Sequence, residues 1–301
     1  MTDGNLTVIS GWFTDANQPP LEITTPEMSL PRSWFRQGAP PDIAKPMHEV
    51  VKPGKIITTH KPEPTQWRVL EAQTEIEHQR GKDQAREGNP SYAALKLLCE
   101  NVRDPSFQAL MRVYLQIPYT NTEFMESTTR ATQAMEFKPI ELDAHQAPSK
   151  DKQTSKFTPA LLGYEESQQD QSGLVPGGFL IYVVWEFVPG LQLGDLSGNA
   201  TAFWQLPRTE RDRIRAAFKK TLQDIKRVGF WPNSADALNL IWQSDSGMLF
   251  WVGFRDCNMA LDRCIASTPE QIDVDTSNLS VRALSQFKTE KQYVVGGSTS
   301  D

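Results

Sequence analysis

Apolar and polar positions alternate along this chain with periods that change from one segment to the next. The clearest helical period lies between Thr209 and Val228. Ile214, Phe218, Leu222 and Ile225 recur three and four residues apart, with Ala217, Thr221 and Val228 beside them, so one face of a helix is predicted to be apolar. Thr209, with Asp212 three residues on, is the expected N-cap, and Gly229 the expected stop. Phe179 to Trp185 is an unbroken apolar run rich in β-branched and aromatic residues, the pattern of a strand buried on both faces. Ala109 to Ile117 also predicts a strand, whereas Tyr92 to Cys99 fits strand or helix.

Around these segments the pattern is weaker. Gln66 to Arg86, with Trp67, Val69, Leu70 and Ile76 among charges, predicts a helix ended by Gly88-Asn89-Pro90. Residues 119 to 156 are polar, with one helix expected near Ile140 to Ala147. Asp245-Ser246-Gly247 joins two apolar stretches as a hairpin. Residues 1 to 65 hold 10 of the 21 prolines, which removes donors and biases the chain against regular structure. Trp12, Phe13, Trp34 and Phe35 stand in that arm, either as incidental aromatics of a disordered tail or as anchors on the domain or on a protein partner. Beyond about residue 267 the chain is polar and a frayed tail is expected.

Composition narrows the function classes. At 301 residues, 39% hydrophobic and 23% charged, the chain is of globular type and long enough for a large core. A net charge of -6 argues against a general nucleic-acid binder. No apolar stretch is long enough for a membrane helix, and Met1 to Asn5 carry no basic region followed by an apolar leader. A place inside the cell, cytoplasmic or nuclear, is therefore expected. Cys99, Cys257 and Cys264 are too few and too scattered for a disulfide framework, and His48, His60, His78 and His145 give no metal-ligand spacing.

Candidate chemistry lies in the order of motifs from residue 209 onward. After the helix comes Gly229-Phe230-Trp231-Pro232-Asn233-Ser234-Ala235-Asp236-Ala237-Leu238-Asn239, then a hairpin, then Gly253-Phe254-Arg255. This resembles the catalytic segment of the protein-kinase-like superfamily, in particular the divergent kinase-like proteins of filamentous fungi. On that pattern Pro232 stands at the His position, Ser234 at the catalytic Asp and Gly253 at the metal-binding Asp, while Asn239 and Phe254 match. Phe179 to Trp185 with Glu186-Phe187-Val188-Pro189-Gly190 is similar to the fifth strand and hinge, making Glu186 and Val188 nucleotide-cleft candidates. Arg112, or its rival Lys96, falls where the phosphate-binding Lys belongs, and Glu141 where the helix Glu that pairs with it belongs. No G-x-G-x-x-G is present.

The resemblance implies an α+β, protein-kinase-like two-lobe fold with a truncated C-terminal lobe and an extended Pro-rich N-terminal arm. Its expected divisions are the arm over 1–65, an N-lobe-like sheet with a helix C equivalent over 66–187, and a reduced, mainly helical C-lobe over 188–301. Phosphoryl transfer is catalysed by positioning and charge neutralisation, with acidic side chains holding Mg²⁺ and orienting the nucleophile. Ser234 and Gly253 offer neither carboxylate, and one positioned base is worth about 10²–10⁴ in rate. The expectation is a degenerate module that binds or scaffolds a protein partner, with no cofactor and weak or absent binding of ATP and Mg²⁺. Against it stand a phosphotransferase or other transferase using Asp236 and Asp256 as relocated acids, and an unrelated α+β interaction protein.

Overall fold

The computed structural model describes residues 33–35, 51–86, 88–195, 199–232 and 236–259. All belong to one compact unit that starts at Ser33. Trp12, Phe13, Ser234, Cys264 and the C-terminal tail lie outside the described residues, as does most of the Pro-rich arm.

A six-stranded antiparallel sheet occupies the first half, built from β1 (Ile56–Thr59), β2 (Thr65–His78), β3 (Tyr92–Asn101), β4 (Gln108–Gln116), β5 (Leu161–Gln168) and β6 (Phe179–Glu186). Their order is β1-β2-β3-β4-β6-β5. The sheet curls until the end of β1 meets the far strand. Lys61 and Tyr164 exchange backbone hydrogen bonds, and Lys61 Nζ lies 2.8 Å from Glu166 Oε2. Its inner face buries Trp67, Val69, Leu95, Leu97, Met111, Val113, Leu115 and Val184. The outer face buries Leu110, Tyr114, Ile181, Val183 and Trp185 against Leu142. The run read as buried on both faces, β6, supplies residues to both clusters.

Two expectations are corrected here. The segment Gln66 to Arg86 is mostly strand, not helix; only α1 (Lys82–Arg86) is helical. Trp67 and Val69 pair with Asn101 and Cys99, and burying both on the inner face outweighs the weak helical spacing of this charged sequence. The proline-rich region also holds regular structure near its end, because β1 pairs along β2 from Ile56 to Thr59. Between β1 and β2, Lys61-Pro62 is a cis peptide.

Two short helices follow the sheet's first half, α2 (Ser127–Ala131) and α3 (Ile140–Ser149). Pro139 precedes α3, and Glu141, Leu142, Ala144, His145 and Pro148 are its buried residues. After β6 come β7 (Leu191–Gln192), α4 (Thr201–Gln205), α5 (Arg208–Arg227), β8 (Phe230–Pro232), β9 (Leu240–Gln243), β10 (Met248–Trp251) and β11 (Cys257–Met259). α5 starts one residue before Thr209, so Thr209 is inside the helix and not its cap. It ends where expected, at Gly229 with φ +86°. α5 buries Ile214, Phe218 and Ile225 against the β9–β10 hairpin, and Trp251 Nε1 donates to Thr221 Oγ1 at 2.8 Å. At the other end of the hairpin, Trp242 Nε1 donates to Glu210 Oε1 at 2.6 Å. Cys99 and Cys257 are free, buried thiols, and burial pushes both up to about 12.

Candidate functional site: a buried stack from Arg112 to Gly253

Arg112 lies at the middle of β4, directly opposite Lys96 on β3 and Val183 on β6. Directly paired residues share a face, so both cations stand on the outer face, toward α3. Arg112 Nη1 reaches Glu141 Oε1 at 2.5 Å, and Tyr114 donates its hydroxyl to Glu141 Oε2 at 2.7 Å. The Glu141 side chain is 1% exposed and that of Arg112 13%, so neither charge is solvated well enough to stand alone. Burial lowers the Arg112 pKa, but Glu141 and Tyr114 more than offset it and the net direction is upward. Lys96 has no such carboxylate contact among the described residues. Burial, then the Arg112 charge, lower its pKa against the pull of Glu141. The structure therefore joins Arg112 to Glu141, with Lys96 the neighbour of that pair.

From Arg112 the contacts continue inward through aromatic rings. Its guanidinium carbon lies 5.3 Å from the Trp185 ring centroid. Trp185 stacks on His145 at 5.1 Å and 22°, and His145 meets Phe254 edge-on at 5.2 Å and 71°. Glu141 and His145 are four apart on α3, which puts both on one helix face. His145 is 1% exposed, and neither ring nitrogen makes a hydrogen bond of normal geometry. Burial pushes the imidazole down to about 4, against the opposing pull of the Glu141 charge and the Pro159 backbone. His145 is thus a neutral packing residue. Neither it nor Trp185 was singled out in the sequence; the four-residue step from Glu141 was the one signal available.

Phe254 is the far end of this stack, and the residue before it has no room for a side chain. A Cβ on Gly253 would sit 2.0 Å from Asn239 Oδ1 and 2.1 Å from its Cγ. The Asn239 amide occupies that space, and its backbone carbonyl accepts from Val252 N at 2.9 Å. Asn239 closes a single 3-10 turn (Ala237–Asn239) that begins after Asp236. β8 and β11 pair antiparallel with Pro232 opposite Cys257, which sets the end of β8 beside the chain that follows Phe254. Asp256 lies in that stretch, close enough to act on the titration of His78, Tyr92 and Cys257. Arg255 Nη1 is 3.4 Å from His78 Nε2, and burial followed by the Arg255 and Arg80 charges lowers the His78 pKa.

Glu186 accepts weakly from Ala160 N at 3.3 Å, and Val188 is buried. Pro189 accepts from Gln243 Nε2, tying the segment to the β9–β10 hairpin. A divalent cation, which the resemblance implies, fits this donor set poorly. Gly253 has no side-chain oxygen, a neutral amide fills the adjacent space, and among the described residues no three His, Cys, Asp or Glu side chains gather as ligands. A 550 Å³ cavity lies beyond Phe137 and Phe179, lined by none of these candidates.

No protein-family model matches the chain, and no curated protein matches it. Solved structures similar to it include the kinase PK-1 of Cydia pomonella granulovirus, at 12% identity and a TM-score of 0.39, covering 69% of this chain and 60% of that one. Vaccinia related kinase 3 is similar at 12% identity and a TM-score of 0.35, covering 69% and 52%. The chain thus spans less than two thirds of either kinase.

Proposed function

We propose that this chain is a kinase-like protein, divided into two lobes, that has given up phosphoryl transfer and acts as a binding, scaffold or regulatory module. The kinase-like reading is supported by the element order: an antiparallel sheet whose third-from-last strand carries a base paired to a helix Glu, followed by a helix, a short strand, a hairpin and a returning strand paired with the first. The degenerate reading is carried by one observation, the Asn239 amide filling the space a side chain at 253 would need. An Asp there, the metal ligand of phosphoryl transfer, would have to displace Asn239. The buried stack from Arg112 to Phe254 serves in this reading to hold the sheet, α3 and the hairpin together.

Incubating the full chain with γ-labelled ATP and Mg²⁺ or Mn²⁺, alone and with general acceptors, tests this. No label transfer is expected. Transfer that disappears in Asp236→Asn or Asp256→Asn would establish the relocated acids as catalytic and end the scaffold reading.

A further inference from the structure

The inner face of the curled sheet ends in a mouth that carries two carboxylates. β2 is bulged twice, between Val69 and Glu71 and between Ala72 and Glu75. The second bulge changes which side chains face inward. Ile76 turns to the outer cluster, and Glu75 and Glu77 align with Leu95 and Ala93, both fully buried on the inner face. Acids thus rim an apolar slot. Glu75 is half-buried and Glu77 exposed.

Ser33-Trp34-Phe35 fills that slot. Trp34 is 2% and Phe35 0% exposed, packed in the inner cluster with Val51 and Trp67. Three donors of this tripeptide meet carboxylate oxygens of β2. Ser33 Oγ donates to Glu75 Oε2 at 2.6 Å, Trp34 N to Glu75 Oε1 at 2.6 Å, and Trp34 Nε1 to Glu77 Oε2 at 2.7 Å. Bonds to charged acceptors are the strong ones, and here they read a hydroxyl, an amide and an indole in fixed order. Arg32 and Arg36 flank the tripeptide in sequence and are opposite in charge to Glu75 and Glu77. The second Trp-Phe pair, Trp12-Phe13, follows Gly11 and precedes Thr14, and it lacks both the hydroxyl residue and the flanking arginines.

We propose that this mouth is a peptide-docking site and that Ser33-Trp34-Phe35 occupies it as the chain's own ligand. The aromatic rings enter the apolar slot while the anchoring carboxylates stay within reach of solvent. A partner presenting a basic, hydroxyl-Trp-Phe segment is then the chemistry that competes for it.

The test uses the folded full chain with a site-specific protease sequence inserted after Pro41. After cleavage, labelled peptide Ser29–Ala39 is added and exchange followed by fluorescence anisotropy, with circular dichroism reporting the fold. Exchange into a still-folded body is expected. The Trp34→Ala peptide and a peptide spanning Thr7–Asn17 should bind at least about tenfold more weakly, and Glu75→Gln with Glu77→Gln should weaken binding by a similar factor. Unfolding on cleavage would make the segment an integral part of the core and overturn the proposal. So would a folded body that takes up no peptide, or binding indifferent to Trp34 and to both carboxylates.

Discussion

Arg112 and Glu141 form a pair in which each member makes the burial of the other tolerable. Removing the guanidinium by Arg112→Ala leaves a carboxylate 1% exposed with only the Tyr114 hydroxyl, a cost of about 3–5 kcal/mol in denaturant unfolding at pH 7. Replacing both, as Arg112→Met with Glu141→Leu, should cost far less, because no charge is stranded. His145 makes a pH prediction. Its folded pKa of about 4 lies below the ordinary 6.5, so folding favours the neutral ring. That contribution is whole above about pH 6.5 and is lost as pH falls through 4, amounting to about 3 kcal/mol. His145→Leu should therefore flatten the loss of unfolding free energy between pH 7 and 4, measured against the parent chain; an unchanged slope would mean the ring is protonated in place. Gly253→Ala should cost about 1–3 kcal/mol through overlap with Asn239, and Asn239→Gly in the same chain should recover part of it.

At the scale of elements, legibility followed the period of the apolar pattern. β6 and α5 were readable because seven apolar residues in one case, and Ile214, Phe218 and Ile225 in the other, leave little choice of partner face. β2 was misread because its two bulges break the alternation that marks a strand, putting Trp67 and Val69 inward, then Ala72, then Glu75 and Glu77. No local rule places two bulges; cross-strand pairing with β3 does. The join between α5 and its hairpin depends on polar contacts as well as apolar ones. Thr221 accepts from the buried Trp251 indole, so Thr221→Val should leave that N–H unpaired and cost about 1–3 kcal/mol in thermal or urea unfolding. Loss near zero would mean that water reaches the indole.

At the scale of the whole molecule, the pairing of Arg112 with Glu141 could be anticipated from motif order, since a cation on a buried strand needs an acid. The filling of the site could not. That Asn239 lies over Gly253 follows from a 3-10 turn and a hairpin folding back on each other, and Trp185 and His145 came to lie between Arg112 and Phe254 only through tertiary packing. Trp34 and Phe35, readable from sequence either as incidental aromatics of a disordered tail or as anchors on the domain or on a partner, lie on the chain's own sheet. The central claim, a kinase-like frame without a working metal-nucleotide centre, is most directly met by thermal unfolding with ATP, with and without Mg²⁺ or Mn²⁺. A ligand at 100 times its Kd adds about 2.7 kcal/mol to a folded state, a rise of roughly 5–10 °C for a unit of this size. A melting temperature that adding metal to ATP leaves unchanged is expected; a rise that depends on the divalent cation would overturn the degenerate reading.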